Sequence, residues 1–237
     1  MNPVASDGLN AASRVLHTRR VHTITDRFSM ANTYLIVEER LVVVDPVSEG
    51  NVRQLEGYLQ RFLQRPLSDI DLIVLTRPQP GHAAGIAALR QLCHAPVAVS
   101  AAGGQPAHRD AGEKRESLPP GTQYHLFGST YERRIAAVDL WLDDGASLPG
   151  HAEWRVLALP RHLTQSLSLY NPFTQELLCG ETLITIRNGI PLLRGVRYRW
   201  QLEEMLHILR SLRIHYLYPG HGRAILSLNP LRKIDIE

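Results

Sequence analysis

Four side chains able to hold a divalent cation stand in separate blocks of this chain. They are His82 in Gly81-His82, His162 in Leu-Pro-Arg-His-Leu-Thr-Gln-Ser, Glu181 in Cys179-Gly180-Glu181-Thr182-Leu183, and His221 in Pro219-Gly220-His221-Gly222. Neutral imidazoles with a carboxylate are a donor set for Zn²⁺ or Fe²⁺, and a cation so held polarises an oxygen or activates a bound water. Taken singly, each histidine is more readily a hydrogen-bonded loop or core residue than a ligand. Their occurrence in four ordered blocks, each after a strand-like run, marks them as a candidate site.

The elements that must position them follow from periodicity. Asn32–Val37 and Leu41–Asp45 read as an opening hairpin, and Ile70–Leu75 and Ala95–Val99 as further strands. Ser48 can cap a helix whose apolar positions are Val52, Leu55, Leu59, Phe62 and Leu63, with Pro66 closing it. A second helix is expected from Gly81-His82 through Ile86, Leu89 and Cys93, which puts His82 at a helix N-terminus beyond a strand end, where open α/β sheets place their chemistry. Residues 103–131 break into Gly-Gly, Pro119-Pro120-Gly121 and mixed charge, a long loop. Strands resume at Leu140–Leu142, Trp154–Leu159, Leu167–Tyr170 and Leu177–Cys179; a closing helix carries Leu202, Met205, Leu206, Leu209 and Leu212, and Tyr216–Tyr218 feeds the last histidine block. His151, His207 and His215 fall outside the four blocks and are expected at surface or helix positions.

Composition narrows the function classes. With 237 residues and 44% hydrophobic content the chain can bury a substantial core, and the expected organisation is a short N-terminal extension over 1–19 and one α/β domain over 20–237. No run approaches the ~20 apolar residues of a membrane span, and the N-terminus lacks a basic head followed by an apolar core, so a cytoplasmic location without membrane attachment is expected. Cys93 and Cys179 lie in apolar segments and read as buried thiols. A net charge of +3 is too small to indicate nucleic acid as the partner.

The order of these blocks resembles the metallo-β-lactamase superfamily of hydrolases, with T-H-x-H-x-D-H after a strand, then P-G-H-T, a G-D segment and a late P-G-H-G. The resemblance covers roughly residues 20–226. It implies a four-layer αββα sandwich and places Asp45, at the end of the opening hairpin, as a support of the metal site. It also exposes departures. The first signature reads Thr76-Arg77-Pro78-Gln79-Pro80-Gly81-His82, so Arg77, Gln79 and Gly81 stand at three ligand positions. One metal subsite would then retain only His162 of three ligands. The other retains His82 and His221, with Glu181 at the bridging carboxylate, a set that can hold one Zn²⁺ or Fe²⁺. Arg77 puts a permanent positive charge in a cavity built for cations, and it can replace one by pairing with Glu181 or Asp45. Pro78 and Pro80 each fix φ and remove a backbone donor from the ligand loop.

The resemblance therefore implies a hydrolase ancestry with a degraded two-metal centre and no cofactor or one divalent metal. An alternative is a mononuclear Zn or Fe hydrolase of an ester, thioester, lactone or phosphoester. It would use His82, His221 and Glu181 as ligands, His162 as polarising or proton-relaying group and Arg77 to hold an anionic substrate group. A pseudoenzyme would instead fill the cavity with Arg77 and Gln79 and bind a small, anionic molecule or a protein partner. A third reading starts from Arg187, Arg194, Arg197 and Arg199, which with Tyr198 and Trp200 lie in a stretch with no acidic residue between Thr182 and Leu202, a substrate-binding or polyanion surface.

Overall fold

The computed structural model of the chain describes residues 20–77, 83–101, 138–159, 166–185, 189–193, 198–232 and 234–236. Its strands, in chain order, are β1 (Val21–Thr25), β2 (Asn32–Val37), β3 (Leu41–Val44), β4 (Ile70–Val74), β5 (Val97–Ser100), β6 (Leu140–Leu142), β7 (Ser147–Leu148), β8 (His151–Leu157), β9 (Ser168–Asn171), β10 (Glu176–Gly180), β11 (Leu183–Thr185), β12 (Pro191–Leu193), β13 (Tyr216–Pro219), β14 (Ile225–Leu226) and β15 (Asp235–Ile236). The main described helices are α1 (Glu49–Tyr58), α2 (Ile86–Cys93) and α3 (Arg199–Ser211). One sheet runs β1 through β6 in sequence order, antiparallel to β3 and parallel from there on. The second runs β14-β13-β10-β9-β8-β7, with β10 and β13 parallel; β11, β12 and β15 form a small third sheet.

The strand pleat sorts side chains into three apolar layers. In β3, Leu41 and Val43 point to one side, into a cluster with Val52 and Leu55 of α1 and Ile86 and Leu89 of α2. Val42 and Val44 point to the other side, against Val156, Leu169 and Leu178 of the second sheet. Beyond that sheet, Leu177 and Cys179 of β10 pack on Met205 and Leu209 of α3. Helix, sheet, sheet and helix thus stack as four layers, and each fully buried aliphatic side chain contributes about 1.5–3 kcal/mol. A strand such as β3, apolar on both faces, is the signature of a sheet covered on both sides.

Local chemistry fixes the elements around the site. Ser48 Oγ accepts the Asn51 backbone N–H at 3.0 Å and starts α1 as expected. The helix then widens into a π turn over Leu59–Leu63 and stops at Gln64, whose φ of 53° is left-handed. That turn rotates the apolar stripe: Leu59 and Leu63 stay in the core, while Phe62, expected on the buried face, is half exposed against the Tyr58 ring. The described helix α2 begins at Ile86, with Gly85 as its N-cap. A Cβ on Gly85 would lie 2.7 Å from the Pro46 carbonyl oxygen, so glycine lets α2 meet the loop after β3.

His151 corrects the sequence expectation of a surface or helix position. Gly150, at a φ of 74°, turns the chain out of β7, and His151 opens β8 only 2% exposed. Its Nδ1 lies 2.7 Å from Glu38 Oε2 and its Nε2 3.1 Å from Asp71 Oδ1, while the Trp154 indole N–H donates to Glu38 Oε1 at 3.2 Å. The histidine thus joins the β2–β3 turn to β4 through two carboxylates. Both cysteines are free thiols; Cys179 is buried, whereas Cys93 is half-buried, with burial pushing its thiol pKa up.

Candidate functional site

Asp45 follows β3, Thr76 and Arg77 follow β4, Glu181 follows β10 and His221 follows β13. β3 and β4 are parallel, as are β10 and β13, so the four carboxyl ends meet on one rim of the sandwich. Asp45, at a left-handed φ of 54° and 1% exposed, accepts the Thr76 N–H at 2.8 Å with Oδ1 and the Thr76 hydroxyl at 2.5 Å with Oδ2. This double contact fixes the chain immediately before Arg77. Thr76 also reaches across the sandwich: a Cβ on Gly180 would fall 2.3 Å from Thr76 Oγ1, so glycine at a φ of 51° lets the two sheets close here.

The result is a direct ion pair between the sheets. Arg77 Nη1 donates to Glu181 Oε2 at 2.7 Å, with the side chains 14% and 21% exposed. The other carboxylate oxygen, Oε1, stands 3.8 Å from His221 Nδ1. One carboxylate therefore lies between a guanidinium and an imidazole.

The loop carrying His221 is held from three sides. Gly220 N–H donates to the Gly180 carbonyl at 2.6 Å, and a Cβ on Gly220 would sit 2.8 Å from that carbonyl carbon. Thr185 N–H donates to the His221 carbonyl at 3.0 Å. Asn32 Nδ2 donates to the carbonyls of Pro219 and Gly222 at 2.9 and 2.8 Å, and the Tyr34 hydroxyl donates to Pro219 O at 2.5 Å. Burial pushes the Tyr34 pKa well above its ordinary value, which keeps the phenol protonated as that donor. Asn32 and Tyr34, assigned from sequence only to a strand, and Thr76, assigned only to the start of the first signature, are positioning residues; their bonds to Pro219, Gly222 and Asp45 span 31 or more residues. A polar pair inside an otherwise apolar strand was the available signal.

Of the expected site residues, Arg77, Glu181, His221 and Asp45 are brought to this rim. His82, His162 and Gln79, the prolines Pro78 and Pro80, and Arg187, Arg194 and Arg197 lie outside the described residues. Among the described residues no three metal-ligating side chains come together. Among the described residues, the Glu181 carboxylate already accepts from a guanidinium. Arg199 pairs with Glu203 at 2.8 Å, and the neighbouring Tyr198 and Trp200 rings stack 6.4 Å apart.

A family model for the metallo-beta-lactamase superfamily matches residues 26–221. The chain belongs to this superfamily. Solved metallo-beta-lactamase structures agree in fold. TTHA1429 from Thermus thermophilus, a metallo-beta-lactamase family protein, is 20% identical with a TM-score of 0.60, over 90% of this chain and 76% of its own. TTHA1623 in a di-iron-bound form is 22% identical with a TM-score of 0.55, over 86% and 93%. A Cronobacter sakazakii metallo-beta-lactamase with a HARLDQ motif is 18% identical with a TM-score of 0.55, over 86% and 75%. No curated protein matches the chain. Among the described residues no helix is long and apolar enough to cross a membrane.

Proposed function

We propose that this chain is a metallo-β-lactamase-fold protein whose two-cation centre has been degraded, with the Arg77 guanidinium in place of a cation beside Glu181. The contact that carries this reading is Arg77 Nη1 to Glu181 Oε2 at 2.7 Å. A divalent ion about 5 Å from that guanidinium would be repelled by about 7 kcal/mol at an effective dielectric near 20. The scaffold then serves as a pocket for a small anionic molecule. One face of Arg77 neutralises Glu181, and the guanidinium has five N–H donors, enough to orient a carboxylate or phosphate as well. Hydrolase ancestry remains in the frame, without an efficient two-metal reaction.

A second reading, a mononuclear centre, is favoured by His221 Nδ1 standing 3.8 Å from Glu181 Oε1. Two ligands of one tetrahedral cation are about 3.3 Å apart, so this pair needs little movement to share one. His221 and Glu181 would hold it, with His82 as third ligand, and the cation would supply Lewis-acid polarisation of an ester, thioester, lactone or phosphoester. Thermal unfolding with and without chelator separates the two readings. An unchanged midpoint supports the ion-paired site; a fall of several degrees, restored by added zinc or iron, refutes it in favour of the mononuclear one.

A further inference from the structure

A cavity of about 520 Å³ lies between the last turn of α3, the segment that leads from it into β13, and the chain after β14. Its charged and titratable lining is Arg210, Arg213, Arg232 and His215, with no aspartate or glutamate among the lining residues. Several described arginines elsewhere have carboxylate partners: Arg65 pairs with Asp69, Arg77 with Glu181 and Arg90 with Asp139. Among the described residues no ion pair involves Arg210, Arg213 or Arg232. Three positive charges therefore converge with no counter-charge among the described residues that line the cleft. The α3 C-terminus opposes them with only about half a negative charge, so the field in the cleft stays positive.

The apolar lining matters equally. Leu209 and Ile214 are 1% and 5% exposed, whereas Leu228 is 81% exposed. A cleft of this size, within the roughly 300–1,000 Å³ range of small-molecule sites, combines apolar walls with convergent charge. We infer that this cleft binds an organic phosphate, a phosphate group on an apolar body, at a place distinct from the Arg77 and Glu181 rim. Guanidinium forks match phosphate oxygens bidentately, and three cations balance a dianion better than they balance a single carboxylate. The site stands at the start of β13, and the end of that strand, which His221 follows, lies about 10 Å further along. The inference stands independently of the reading of Arg77.

Isothermal titration calorimetry of the full chain with 1-naphthyl phosphate at low ionic strength tests it, with inorganic phosphate and 1-naphthol as the separated charge and body. The expected result is saturable binding at least tenfold tighter than either control. It should weaken at least tenfold in Arg210→Gln/Arg213→Gln and in Arg232→Gln, and persist in Arg77→Met. The exposed arginines let both variants keep the wild-type circular dichroism and unfolding midpoint. Binding no tighter than inorganic phosphate, binding unchanged in both variants, or binding lost in Arg77→Met instead would each overturn the inference.

Discussion

Replacing Arg77 with methionine tests the pair that organises the rim. Methionine keeps much of the side-chain length and removes the guanidinium, so Glu181 stays with its carboxylate and loses the donor 2.7 Å away. Breaking a fully buried ion pair from one side costs about 3–5 kcal/mol, and an exposed pair is worth about 0–1 kcal/mol. With the side chains 14% and 21% exposed, this case lies between those limits, at about 2 kcal/mol. In a chain of this size that corresponds to a fall of about 4–8 °C in unfolding midpoint. A double-mutant cycle with Glu181→Gln isolates the pair from lost packing, and the expected coupling is about 1–2 kcal/mol, reduced by high salt. Urea and thermal denaturation of the four proteins supply the numbers. A coupling below about 0.3 kcal/mol would show that the contact does not hold the rim together.

Asp26 sets an acid limit. Its Oδ1 accepts the Ser29 and Phe28 backbone N–H groups and its Oδ2 the Ser48 hydroxyl, and these contacts, Ser29 first, hold its pKa at about 2 against an ordinary 3.8. A lowered carboxyl pKa stabilises the fold above the unfolded value, and that stability is lost as pH falls from about 4 through about 2. Asp26→Asn should flatten the unfolding midpoint across this window in a pH series. Asn32→Ala removes two donors from the His221 loop and should cost about 2–3 kcal/mol, read in urea denaturation. Gly220→Ala drives a Cβ to 2.8 Å from the Gly180 carbonyl carbon, and should cost more than Asn32→Ala or abolish soluble expression.

What the chain reveals before folding depends on the range of the interaction. β2, β3, β4, β10 and β13 were legible because apolar runs and turn residues act over a few positions, and the blocks at Glu181 and His221 named two of the strand ends that meet on the rim. Ser48 as the cap of α1 was legible for the same reason. The choice of Glu181 over Asp45 as the partner of Arg77 was not, since it depends on Gly180 letting Thr76 approach from the other sheet. The burial of His151 was equally hidden, because Glu38 and Asp71, which receive it, lie 113 and 80 residues earlier. Phe62 was misplaced because periodicity assumes an unbroken α-helix, and a π turn shifts the face.

The central claim is that a guanidinium has taken a cation's place beside Glu181. Elemental analysis of protein purified without a metal-affinity column, repeated after zinc and iron supplementation, tests it most directly. The account predicts no stoichiometric metal before or after supplementation. One equivalent or more that is lost in His82→Ala with His221→Ala would contradict it in favour of the mononuclear centre.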